Sequence, residues 1–449
     1  MPTAEQLNVR DGAAQKLPPS SQVPGPPGPG LVQTIVGTVS PFRSRLTMRR
    51  RYGKLFRTDD AIVGPLVHVA DRDLAERIFK WKPAQYNVAE PREVMEPAVG
   101  RTSLLLLDGQ PHLRMRKLML PPFHGPAIAR FADLIAEITE REIDGWRVGD
   151  RVRTRSVAQR ITMEVIIRTV FGVTDPKRLA ELQSLLPSLS SINPAVLFVQ
   201  RDLGPWSPWG RFLRRRERVD EVIYSAIAER RAASEQPDDI LSLLLAARDE
   251  DGEPLSDKEL RDELITILLA GHETTATSIG WAFERLLRTP AVLDRLVAEL
   301  DQGGEEYLQA VVKETLRVRP VVTEVFRSPA ETVELGGYRF EPGEQLCVAM
   351  MLIQSDPDIY GPDADAFRPE RFAEGDPEPY AWIPFGGGVR RCIGAAFAEL
   401  EMRVVIATIL RRVELSAPRA RPERARFRGV TVLPSRGGEA LVERIRART

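Results

Sequence analysis

From Ser256 to about Arg288 the chain reads as one uninterrupted helix. SDKE supplies an N-cap with Ser256 and Glu259 as a capping box, and no proline intervenes before Pro290. At 1.5 Å per residue this helix is on the order of 45 Å long, enough to cross a domain of ordinary size. Its neighbours are helical too. From about residue 125 to 320, apolar residues recur at spacings of three and four, as in AIARFADLIAEITEREIDGW. Strand-like runs are short and few: AIVGPLVHVA early, ELGGYRF and EQLCVAMML in the middle, and GVTVLP near the end. Because these runs lie at both ends while helices fill the middle, long-range strand pairing is expected to tie the chain into one domain, mainly α with small β-sheets.

The centre of the long helix departs from its pattern. LLAGHETTATS places Gly271, Glu273, Thr274 and Thr275 where apolar side chains are expected. Threonine hydroxyls can bond the carbonyl of the preceding turn and bend a helix, and a glycine admits close approach to the backbone. Either the helix surfaces there or these groups serve chemistry.

Composition excludes several classes of function. The 63 basic and 63 acidic side chains cancel, so no global field draws the chain to nucleic acid or an anionic membrane, and any partner must meet a local patch. Two cysteines, Cys347 and Cys392, make no disulfide framework and point to a reducing, cytoplasmic setting. No uncharged apolar run approaches the roughly 20 residues needed to span a bilayer. Residues 1–30 read as a disordered, proline-rich lead-in, extended through PPSSQVPGPPGPG, and residues 31–449 as the folded domain, without repeats or low-complexity linkers.

The decapeptide FGGGVRRCIG, residues 385–394, sets Cys392 among glycines and arginines. A zinc site lacks a CxxC, and His68, His112, His124 and His272 are scattered. A nucleophilic cysteine would need a histidine base, a place open to His112 or His272. A single thiolate can also hold a metal that brings its other ligands with it. A buried thiolate needs donors and positive potential, which glycine N–H groups, the start of the following helix, and Arg390 and Arg391 would supply.

Phe385, Gly388, Arg390, Cys392 and Gly394 resemble the haem-binding loop of the cytochrome P-450 monooxygenases. The resemblance implies the single-domain P-450 fold, haem b (iron protoporphyrin IX) as cofactor, and Cys392 as the proximal iron ligand. Further motifs follow in the family's order. Glu314 and Arg317 in KETLRVRP, with Arg371 in FRPERF, match its structural Glu-x-x-Arg network, and AGHETT matches its oxygen-groove motif. By that resemblance, Gly271 leaves room for O2, Thr274 hydrogen-bonds bound oxygen and Glu273 relays protons. His112, Arg116, Arg327 and Arg390 would meet the haem propionates.

The resemblance spans roughly residues 42–445 and implies a monooxygenase that inserts one atom of O2 into an apolar small molecule, such as a lipid, terpene, steroid or polyketide. The 57 residues after Cys392 leave no room for an appended flavin or iron–sulfur domain. Electrons from NAD(P)H are therefore expected through a separate ferredoxin and ferredoxin reductase, for which Lys117, Arg390, Arg391 and Arg403 offer a basic docking patch. A peroxygenase of the same fold is disfavoured by Glu273 and Thr274, and a haem sensor or ligand carrier by the intact proton relay. The resemblance places the substrate pocket in residues 89–107, 187–206, 321–326 and 429–434. Glu324 stands out there as an acid able to meet a substrate amine, to face solvent or to pair with Arg327.

Overall fold

A computed structural model describes residues 17–61, 63–88, 94–173, 175–186, 200, 204–234, 237–428 and 430–447. Helices of eight residues or more are numbered in chain order: α1 (Gly30–Val39), α2 (Pro41–Tyr52), α3 (Arg72–Phe79), α4 (Gly109–Met119), α5 (Ala132–Ile143), α6 (Thr154–Phe171), α7 (Pro176–Leu185), α8 (Pro208–Ala232), α9 (Asp257–Leu286), α10 (Pro290–Asp301), α11 (Glu306–Val318) and α12 (Ala395–Arg412).

The long helix α9 starts as the capping box requires: Glu259 N–H donates to Ser256 Oγ at 3.3 Å, and Ser256 N–H donates to the Glu259 carboxylate at 2.8 Å. Every residue from Leu260 to Leu268 is buried, and after a break in which only His272 is buried, burial is continuous again from Thr275. Helix α6 packs along it. Gly271 and Gly280 permit the approach, since a Cβ at 271 would stand 2.4 Å from Ile166 Cδ1 and one at 280 would stand 2.8 Å from Arg155 Cβ.

The short strands join distant parts of the chain, as expected. β1 (Leu55–Asp60), β2 (Gly64–Val69), β3 (Tyr86–Asn87), β5 (Val325–Pro329) and β8 (Gln345–Val348) form one sheet in the order β1-β2-β8-β5-β3. β2 and β8 run parallel, with Val67 opposite Leu346 and His68 opposite Cys347. A second sheet pairs β4 (Arg151–Arg153) with β12 (Glu439–Ile445) and β9 (Val413–Ser416). Two hairpins, β6–β7 (Val333–Leu335, Tyr338–Phe340) and β10–β11 (Ala425–Arg428, Thr431–Pro434), complete the strands.

The proline-rich stretch has a defined place in the fold. Residues 1–16 lie outside the described residues, but from Leu17 the chain lies against the sheet. Arg339 N–H donates to Pro18 O at 2.9 Å, Arg57 N–H donates to Pro24 O at 2.8 Å, and Val23 is buried. Prolines cannot donate, so the segment is attached through the carbonyls of Pro18 and Pro24 and through the Ser20 hydroxyl, which donates to Glu344.

Candidate thiol-ligand site

The loop before α12 folds around its cysteine. Gly386 and Gly388 have φ of +70° and +66°, and a Cβ at Gly388 would stand 2.0 Å from Phe79 O. Cys392 N–H donates to Phe385 O at 2.9 Å, closing the turn. The Cys392 side chain is accessible, yet protein packs densely round it, as for a group lining an interior space. Burial pushes its thiol up; the Gly394 N–H, Arg391 and Arg116 oppose this without cancelling it. No histidine acts on the sulfur among the described residues, which leaves the nucleophile reading without its base. Such a sulfur becomes a thiolate when a metal takes the proton's place.

Three arginines gather beside this loop. Arg327 lies 5.2 Å from the Tyr86 ring centre and Arg390 lies 5.9 Å from it. Arg116 is lowered from its ordinary pKa first by burial; Cys392 opposes this, while Arg391 and Arg390 push further down. Arg390 donates to the Asp108 carboxylate at 2.5 Å, and its Nε is buried without a partner. His112 is buried one turn before Arg116 on α4. Cations crowded this way suit an anionic group with two acidic arms, and an accessible sulfur in the same interior suits a metal carried by it.

On α9, Ala270 is exposed among the half-buried Leu269, Gly271, Glu273 and Thr274, and Thr274 Oγ1 donates to Ala270 O at 2.7 Å. Gly271 does not open the space expected of it, because its bare face meets Ile166 of α6; the accessible position is Ala270. Glu273 turns toward α6, where Arg155 Nη2 and Gln159 Nε2 donate to its two oxygens, the latter at 2.7 Å. A cleft lined by Gln159, Arg160, Glu164, His272 and Arg428 brings it to the surface. Thr275 meets the buried Glu401 of α12, whose carboxyl burial raises to about 8.

The Glu-x-x-Arg pair is wholly buried. Arg317 donates to Glu314 at 2.6 and 2.8 Å and to the carbonyls of Gln354, Ala364 and Ala366. Arg371 joins from the edge, 3.8 Å from Glu314, its main bonds going to Tyr360 O and Asp363 O. Gln354 carries the network to the cysteine loop, accepting from Ile383 N–H at 2.8 Å while donating to Leu316 O and Arg317 O. An isolated glutamine in the turn after a short helix gave no sequence signal for this role. Arg155, Gln159 and Asp108 were missed for the same reason: each is one charged or polar residue on a helix or loop full of them.

Two expectations are corrected. Glu324 neither faces solvent nor pairs with Arg327; it is bound by Arg45 at 2.6 Å and lies 3.4 Å from His68 Nδ1, beside the buried Cys347. The basic docking patch loses Arg390, which turns inward, while Lys117 pairs with Glu250 and Arg403 with Glu305. Of the expected pocket walls, residues 89–93, 187–199, 201–203 and 429 lie outside the described residues.

No helix among the described residues is long and apolar enough to cross a membrane. Over 437 residues the chain is 41% identical to a Mycobacterium tuberculosis protein provisionally named cytochrome P450 135B1, covering 94% of this chain and 92% of the relative. It is 40% identical to another provisionally named cytochrome P450 138 from the same species, covering 96% and 97%. Among solved structures it superposes on a cytochrome P450DA heme domain with a TM-score of 0.85 at 23% identity, covering 96% of this chain and 98% of that one. The retinoic acid-bound cyanobacterial CYP120A1 gives 0.82 at 22%, covering 95% and 99%. The cytochrome P450 family model matches residues 24–442, and with a thiol loop, a Glu-x-x-Arg network and a polar break in the central helix all in its order, the chain belongs to the cytochrome P450 family, whose cofactor is haem.

Proposed function

We propose that this protein is a haem-thiolate monooxygenase that binds haem b and inserts one atom of O2 into an apolar small molecule. The observation that carries the reading is Cys392, an accessible sulfur in a dense interior beside three converging arginines. Bound haem supplies oxygen activation and electron transfer. Cys392 would hold its iron through the thiolate sulfur, kept in place by the turn of Phe385, Gly388 and Gly394. Arg116, Arg327, Arg390 and His112 would receive the propionates.

Thr274 holds its hydroxyl beside the accessible Ala270, and rotation about χ1 would release Oγ1 from the Ala270 carbonyl and free it to donate its proton into that space. Glu273, reaching the surface through its cleft, would renew that proton from solvent. Electrons would come from NAD(P)H through a separate ferredoxin and its reductase in a cytoplasmic setting, with the exposed Arg391 as the remaining loop cation for docking.

The test is the optical spectrum of dithionite-reduced protein with and without carbon monoxide. A strongly red-shifted Soret band, lost in Cys392→Ser, supports thiolate ligation. An imidazole-type band, or no haem, overturns the reading.

A further inference from the structure

Helix α1 is built inside out. Its inward face is polar: Thr34 Oγ1 donates to Asp60 at 3.1 Å and accepts from Ala61 N–H at 2.9 Å. Gln33 Oε1 accepts from Asp59 N–H at 3.0 Å, while its amide donates to Pro26 O and Gly28 O. Gly37 is buried against the Arg45 guanidinium, which stands 3.1 Å from where a Cβ would be. The aliphatic residues point outward. Leu31, Val32, Ile35, Val36 and Val39 are 62, 55, 52, 44 and 71% exposed, and their spacing makes one stripe. The helix carries no charge and cannot rotate to bury the stripe without breaking the bonds of Gln33 and Thr34.

The rim is basic. Helix α2 follows directly, and residues 41–54 include five arginines and a lysine with no acid. Arg45, Arg49 and Lys54 turn to internal acids, whereas Arg43, Arg50 and Arg51 are exposed, with no acid partner among the described residues. β10, which packs on both α1 and α2, adds exposed Arg426 and Arg428. In a chain of zero net charge this is a local positive surface around an aliphatic ridge.

We propose that α1 and its arginine rim dock this protein on an anionic lipid surface, the aliphatic stripe entering the headgroup boundary and Arg43, Arg50 and Arg426 meeting phosphates. A convex aliphatic ridge without a polar group to set register suits a fluid apolar layer. A second copy suits it less, because a two-fold contact over the stripe would bring the same arginines together. The first 16 residues offer only Met1, Leu7 and Val9 as large apolar side chains, too few to cover five. The docking does not depend on the monooxygenase reading.

The test is co-sedimentation of the purified haem-loaded protein with phosphatidylcholine vesicles containing none or one third phosphatidylglycerol, at low and high salt. Binding is expected to the anionic vesicles, with at least a tenfold loss in L31S/I35S/V39S and a loss of lipid preference and salt sensitivity in R43Q/R50Q. Unchanged Soret spectra and melting temperatures identify both variants as folded, these positions being exposed. No vesicle binding by the parent protein, equal binding by the triple variant, or a dimer that the triple variant abolishes without any vesicle binding would each overturn the proposal.

Discussion

Arg155 of α6 holds the Glu273 carboxylate from the neighbouring helix, and Gln159, one turn further along α6, holds its second oxygen at 2.7 Å. The acid is thus aimed at the surface cleft by a partner that touches neither the cysteine loop nor Thr274. Glu273→Gln is expected to slow turnover about 10²-fold and enlarge the solvent isotope effect, leaving the Soret spectrum unchanged. Arg155→Met is expected to shift the pH–rate profile with a smaller loss. Turnover of a substrate found by spin-state screening, followed across pH, is the measurement.

Arg317 makes five hydrogen bonds from a fully buried guanidinium, so its replacement strands Glu314 and three carbonyls together. Loss of one partner from a buried pair costs about 3–5 kcal/mol. Arg317→Lys, lacking the planar fork, is expected to fail nearly as badly as Arg317→Ala. Soluble yield and haem content per chain are the readouts.

Glu324 gives the protein an acid limit. Burial alone would raise its carboxyl, but the charge of Arg45, the nearby His68 and the hydrogen bond from Arg45 outweigh burial and hold it far below the usual range. A depressed acid contributes stability that is complete above the unfolded value near ~4.3 and lost as pH falls through the folded one. His68, lowered chiefly by burial, adds a loss that begins below about 6.5. Melting temperature should therefore fall as pH drops below 6.5, and Arg45→Ala should lower it at pH 7 as well. Thermal melts across pH check both.

Glu263 acts in the opposite direction. Burial on α9 raises its carboxyl to about 8, although Leu104 N–H donates to one oxygen at 2.6 Å. A raised acid contributes stability present below ~4.3 and lost progressively as pH rises to about 8. Glu263→Gln keeps an acceptor for Leu104 and carries no proton to lose. It should melt higher than the parent at pH 9, and a parent curve that stays flat from pH 5 to 9 would contradict this.

The long helix was readable because its signals are local: Ser256 and Glu259 are three residues apart, and the structure begins α9 at Asp257. Short apolar runs far apart in the chain announced long-range strand pairing but not its partners, among them His68 opposite Cys347. What the sequence concealed lies in pairings without a pattern. Nothing local tells Glu324 that Arg45 will reach it from α2, or that Gly271 will face Ile166. In the proline-rich segment, proline content reports the lack of helix and sheet donors but leaves carbonyls free to be used, as those of Pro18 and Pro24 are.

The close seating of Gly388 on Phe79 joins opposite ends of the chain at the cysteine loop. The loop cannot reach this geometry until the N-terminal sheet, α3 and the segment leading to α12 are all in place, and closing so long a chain loop comes late in folding. Capture of the cofactor then serves as a checkpoint on the maturation of the chain, and nascent or truncated forms are expected to emerge colourless.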